Sequence, residues 1–172
     1  MKALPKKIFI FCLFAGICLI LLALSTKSVA GPFVSSQNPR KSVAANPNLP
    51  QITINNTTLN LELAKTEAQK EKGLGEHKPL TENEGMLFVY SPPEQVSFWM
   101  KDMTFPIDII YISDGKVMQI SPSVLPPPAH TPLKNLKTYH SQKPVDYVLE
   151  TSAGWCEKNQ VQIGNVAILE NI

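Results

Sequence analysis

Beyond residue 30 the sequence holds a single cysteine, Cys156, so no intramolecular disulfide framework is open to it and an ordinary core must stabilise it. Excess basic charge is missing too. Lys2, Lys6, Lys7 and Lys27 all precede residue 31, which leaves 12 basic against 14 acidic residues after it and removes the electrostatic basis for nucleic-acid binding. His77, His130 and His140 show no H-x-x-x-H spacing, no C-x-x-C occurs, and no G-x-S-x-G elbow is present. Zinc chemistry and serine hydrolysis of the usual kinds therefore have no motif to stand on. Internal repeats are absent, and Pro126-Pro127-Pro128 is the one low-complexity patch. A chain of 172 residues that is 44 % hydrophobic is neither disordered nor collagen-like, and it has room for one globular domain.

What is present first is an address. Three lysines within Met1 to Lys7 are followed by seventeen residues without a charge, Ile8 to Leu24. This is a basic n-region and an apolar core, with Ser28-Val29-Ala30 offering small residues to a signal peptidase. Seventeen apolar residues also reach the lower edge of what spans a bilayer, so an N-terminal membrane anchor at residues 8–24 is the second reading beside a cleaved signal. Under both readings the remainder is expected outside the cytoplasm, periplasmic or secreted after cleavage near Ala30, or anchored. Cys18 follows Ile17 rather than a small residue, which argues against lipidation.

Residues 31–50 carry Pro32, Pro39, Pro47 and Pro50 among Ser and Asn and read as a linker. Residues 51–172 then form the domain. Ile52 and Ile54, then Leu59, Leu61 and Leu63, alternate around Asn55-Asn56, which predicts a hairpin. Thr66 stands three before Gln69 at capping-box spacing, with Gly73 closing a short helix. Strands are expected at 86–90, 96–100, 107–113, 116–120, 145–150 and 166–169, with Asp114-Gly115 as a two-residue hairpin turn. A second short helix is expected from a hydroxyl cap at Thr151 or Ser152. The fold class is mainly β: a jelly-roll or barrel-like antiparallel sandwich with one or two short helices, in preference to a parallel sheet.

Chemistry concentrates between Gly85 and Ile112. In an extended strand over 107–113, Asp108 shares a face with Ile110 and Ile112, placing a carboxylate in an apolar row. Such an Asp pairs with a cation, accepts several amides or shifts its pKa; capping a loop amide is the structural alternative. Trp99 and Lys101 share the face opposite Phe98 and Met100 and suit a ligand platform, although a tryptophan more often packs inside a small barrel. Met86, Met100 and Met103 offer thioethers that with His130, His140 or Cys156 would suit Cu(I), against methionine's ordinary use as core filler. Cys156 pairs on paper with an upstream His as a nucleophile, but lone cysteines usually behave as small buried hydrophobes. His130 sits in the stiff 126–132 loop, which has proline spacing a polyproline reader could bind.

Gly73-Leu74, Gly85-Met86-Leu87-Phe88, Phe98-Trp99-Met100-Lys101, Pro106-Ile107-Asp108-Ile109, Tyr147-Val148-Leu149-Glu150 and Ile163-Gly164 together resemble the domain of unknown function 192 family over residues 51–172. The resemblance implies a small, mostly β domain of jelly-roll or barrel-like character, often exported, with no established activity. Gly75, His77 and Asp102 stand where that family usually has Met, Arg and Asn. Matched positions leave Trp99, Met100, Lys101, Asp108 and Glu150 as candidate ligand-binding residues. Three functions follow as expectations. The first is a non-catalytic module binding a small polar or carbohydrate-like ligand, or an envelope protein, around Trp99, Lys101 and Asp108. The second is an envelope hydrolase or transferase using Asp108 and Glu150 as a carboxylate pair. The third is a Cu(I) protein working through Met86, Met100 and Met103.

Overall fold

The structure, a computed structural model, describes residues 48–172. The expected signal or anchor at residues 1–30 and nearly all of the 31–50 linker lie outside the described residues. Among those described, nine strands and two short helices appear, and the mainly β expectation holds.

The hairpin is β1 (Gln51–Ile54) and β2 (Thr57–Ala64), joined by Asn55 and Asn56 with φ of 47° and 63°. Two consecutive positive φ values make the tight turn whose twist matches its strands, and Asn tolerates them. Helix α1 (Glu67–Lys72) follows with the expected box: Thr66 Oγ1 accepts from the Gln69 amide, and Gln69 Oε1 accepts from the Thr66 amide at 2.9 Å. Gly73 closes it at φ 49°. Then come β3 (Glu84–Glu94), β4 (Ser97–Trp99), β5 (Ile107–Ser113), β6 (Lys116–Val124), β7 (Thr138–His140), β8 (Val145–Ser152), α2 (Trp155–Lys158) and β9 (Ala167–Glu170).

Seven strands form one sheet in the order β6-β5-β8-β3-β2-β1-β9. Its two edges meet: Lys116 bridges Val166, and the Val117 amide donates to Asn165 O at 2.9 Å, so the sheet curls toward a barrel. Closure of this kind removes exposed sheet edge. One pair departs from the antiparallel expectation, since β2 and β3 run parallel. Parallel neighbours need a crossover of a dozen or more residues, and the 65–83 segment containing α1 supplies it.

Alternation divides the apolar residues into two clusters. Ile52, Leu59, Leu61, Leu87, Ile110, Ile112 and Leu149 fill the concave interior with Trp155 and Cys156. Met86, Phe88, Ile107, Ile109, Tyr111 and Val148 cover the opposite face, where β4 and β7 form a separate two-stranded ribbon. Phe98 of β4 pins that ribbon down, with its ring edge-on to Phe88 at 4.8 Å and to Tyr111 at 6.3 Å. Tyr111, fully buried, donates its hydroxyl to Tyr139 O on β7 at 3.2 Å.

The second helix differs from its expectation. Thr151 and Ser152 remain in β8, and α2 begins after Gly154, which at φ 79° has no side chain to offer as a cap. The cap comes from a distant strand. Asp108 Oδ1 accepts from the Gly154 amide at 3.0 Å, and Oδ2 accepts from the Cys156 amide at 2.9 Å. A carboxylate here satisfies amides that a short helix leaves without partners.

Candidate functional site

Between α1, the end of β3 and the β4 ribbon lies a cleft of about 370 Å³. Its walls follow from the local structure just described. Capping at Thr66 and closure at Gly73 hold α1 so that Lys70 reaches back across Tyr90, its ammonium 4.3 Å from the ring centroid and 3.0 Å from Glu67 Oε1. Period-2 alternation along β3 turns Met86, Phe88 and Tyr90 toward the outer face, while Leu87 enters the interior. On β4 the same alternation buries Phe98 and leaves Trp99 46 % exposed at the cleft. Lys101, just beyond β4, also lines the cleft and donates to Asp102 Oδ2 at 2.6 Å, a contact that holds its ammonium above the ordinary lysine value.

Glu150 lines the same cleft from the sheet. It stands on β8 between Met86 of β3 and Ile109 of β5, both apolar and buried. The residue is 5 % exposed, and its Oε2 has no hydrogen-bond partner. Burial without a cation or amide nearby pushes its carboxyl up to about 8, so the neutral acid predominates at neutral pH. A buried polar atom left unmatched costs about 1–3 kcal/mol, and among the described residues no other group offsets that cost at Glu150.

Three of the five candidates thus come together, Trp99, Lys101 and Glu150. Met100 does not join them: it is 3 % exposed in the outer-face core. Asp108 does not either. It is fully buried on the interior side, and its carboxylate already accepts from the amides of Ser123, Gly154 and Cys156 at 2.8, 3.0 and 2.9 Å. The expected ligand face of Trp99, Lys101 and Asp108 is corrected accordingly, with Glu150 in the place given to Asp108. The carboxylate pair is corrected too. Asp108 is in register with Thr151, and Glu150 with Ile109, so the two acids point to opposite faces of the sheet and do not converge.

The copper set is not assembled. Met86, Met100 and Met103 are buried in the outer-face cluster, whereas Cys156 lies in the interior one. Both ring nitrogens of His140 are engaged, Nδ1 with Ser97 Oγ at 2.7 Å and Nε2 with Thr138 Oγ1 at 2.9 Å. His130 is exposed in its loop at φ 62°. Among the described residues no group of three or more His, Cys, Asp or Glu is arranged to hold a metal ion. Burial and the Asp108 carboxylate raise the Cys156 thiol far above its ordinary value, which opposes the thiolate a nucleophile requires.

Sequence reasoning missed Lys70, Tyr90 and Glu94, all of which line the cleft. The signal for Tyr90 was present, since it shares a strand face with Met86 and Phe88. The ring's contact with Lys70 depends on where the crossover lies, which no local pattern encodes.

Comparison with solved structures gives the same fold. A protein of unknown function from Novosphingobium aromaticivorans DSM 12444 is 28 % identical over 69 % of this chain and 83 % of its own, with a TM-score of 0.62. A protein from Sinorhizobium meliloti 1021, provisionally described as a transcription regulator, is 26 % identical over 73 % of this chain and 97 % of its own, also with a TM-score of 0.62. Among curated proteins none matches the chain. The family model for DUF192, described as Uncharacterized ACR, matches residues 50–168, and the chain belongs to that family.

Proposed function

We propose that the domain is a non-catalytic module that binds a small polar ligand in the cleft lined by Trp99, Lys101 and Glu150. One observation carries the reading: a carboxyl group that is 5 % exposed and lacks any partner for Oε2 lines an open cleft instead of a sealed core. The cleft volume, about 370 Å³, falls at the lower end of the range for small-ligand sites. Trp99, 46 % exposed beside it, supplies a flat apolar surface of the kind that stacks on a sugar ring or an alkyl chain. Asp108, the acid expected to pair with Glu150, turns to the other face of the sheet, so that carboxylate pair does not support the hydrolytic reading.

Location is part of the proposal. The basic start at Lys2, Lys6 and Lys7 and the uncharged run from Ile8 to Leu24 support an extracytoplasmic domain, released after cleavage or anchored by residues 8–24. Native mass spectrometry of the full chain purified from a bacterial envelope tests the ligand reading. A copurified small molecule that is retained by the parent protein and lost from a folded Trp99→Ala variant is the expected result. Equal retention by both proteins overturns it.

A further inference from the structure

The cleft already holds one cation over an aromatic ring, and that cation belongs to the protein. Lys70 Nζ sits 4.3 Å from the Tyr90 centroid and is neutralised by Glu67 at 3.0 Å. Lys101, on the opposite wall, is likewise taken up by Asp102 at 2.6 Å. What remains uncompensated is mostly negative. Of the acidic groups lining the cleft, Glu71 and Glu94 have no ion-pair partner among the described residues, against Lys72 on the basic side, and Glu150 adds a further unpaired charge once it gives up its proton. Glu150 is the one among them that is withdrawn from water, wedged between Met86 and Ile109.

From this arrangement we infer that the ligand of the cleft is a small organic ammonium ion, whose N–H groups donate to the Glu150 carboxylate while its alkyl portion lies against Trp99. The inference rests on the cleft being the binding site. An anionic ligand would meet a buried acid with only the exposed Lys72, among the described residues, unpaired to offset it. A neutral polyol could hydrogen-bond to the protonated carboxyl but would leave the uncompensated negative charge unused. An ammonium ion satisfies both Oε2 and that charge, and carboxylate combined with aromatic faces is the chemistry that selects alkylammonium groups.

Binding then carries a proton balance. The Glu150 carboxyl is mainly protonated before binding, so each R–NH3+ that docks sends one carboxyl proton to solvent: the carboxyl O–H bond breaks, the proton is taken up by water or buffer, and no other covalent bond changes. Other groups facing the site bear on how that proton is assigned. Tyr90 from β3 and Tyr111 from β5 have hydroxyls pushed upward by burial, Tyr111 to about 12, and stay neutral through the pH range of interest. Glu67 and Lys70 come from α1, Glu94 from β3 and Lys101 from the segment after β4; His140 of β7 reaches the cleft's edge through Ser97.

The test uses three probes of one carbon skeleton: putrescine, its neutral counterpart butanediol and its anionic counterpart succinate. Binding to the full chain is followed by calorimetry, and Glu150 is titrated through its side-chain carboxyl carbon by NMR. Putrescine alone should bind, with affinity rising about tenfold per pH unit between pH 6 and pH 7 and with one proton released per ligand. It should also lower the apparent Glu150 pKa. In Glu150→Gln the pH dependence should vanish, while His140 and α1 keep their places. Equal or better binding of butanediol overturns the ammonium assignment and leaves the cleft reading standing. A pH dependence that survives in Glu150→Gln overturns the role of Glu150. An unchanged Glu150 titration at saturating putrescine overturns the inference, and the mass-spectrometric comparison with Trp99→Ala reports separately whether the cleft itself is at fault.

Discussion

Asp108 and Glu150 stand on adjacent strands one register step apart, and that single step separates a satisfied carboxylate from an unsatisfied one. Asp108 faces Thr151 and turns inward to three amides; Glu150 faces Ile109 and turns outward to none. Two acids at similar depth in the same sheet therefore have opposite consequences, one tying elements together and the other left unpartnered at the cleft.

For Asp108 the consequence is structural. Asp108→Ala removes the acceptor for three amides in a fully buried position, and a cost of about 3 kcal/mol or more is expected from urea unfolding. A loss below about 1 kcal/mol would show that those amides find water instead.

For Glu150 the sign of the pH dependence reverses the usual carboxylate pattern. Its folded value of about 8 lies above the ordinary 4.5, so the folded state holds the proton more tightly than the unfolded one. Its contribution to stability is fully present below pH 4.5, declines between pH 4.5 and pH 8 by up to about 1.4 kcal/mol per pH unit, and then levels off. Glu150→Gln should flatten that decline and be more stable than the parent protein at pH 8 in chemical denaturation. Parallel stability curves for the two proteins would contradict the assignment.

The two tryptophans should separate cleanly. Trp99 is 46 % exposed and Trp155 is 3 % exposed. Trp99→Ala is expected to cost about 1 kcal/mol or less, whereas Trp155→Ala should cost about 3–5 kcal/mol. Acrylamide should quench emission from the parent protein but leave that of Trp99→Phe largely protected. Strong quenching of Trp99→Phe would mean that the interior is open to solvent.

Cys156 should resist alkylation while the protein is folded. Its thiol is 5 % exposed and raised by burial and by Asp108. Iodoacetamide labelling of Cys156, followed on its own peptide by mass spectrometry so that Cys12 and Cys18 do not contribute, is expected to track global unfolding, rising with urea along the same transition as the far-ultraviolet signal. Rapid labelling without denaturant would show local opening of α2.

Sequence pattern exposed the local architecture well where one element carried its own instructions. Asn55-Asn56, the Thr66 and Gln69 box and Asp114-Gly115 each encode their geometry in adjacent residues, and each forms as expected. Asp108 does lie in an apolar row, and its side chain takes the structural alternative, capping loop amides. The same alternation in Tyr147-Val148-Leu149-Glu150 sets Glu150 on an apolar face beside Val148. What separates the two is the presence of partners, and these come from residues 15 to 48 positions away. The start of α2 escaped for the same reason, because its cap is a side chain on another strand. Pairing of β2 with β3 in parallel escaped as well, since strand direction depends on how the intervening crossover runs.

That crossover makes one wall of the cleft separable from the scaffold. Residues 65–83 contribute no strand to the sheet, yet Glu67, Lys70, Lys72 and Gly75 within them form one side of the cleft. Substitutions at the exposed positions of this stretch change what faces Glu150 while the barrel hydrogen bonds and the strands that hold Glu150 stay as they are. The shape and charge of the cleft are thereby adjustable from a single surface segment.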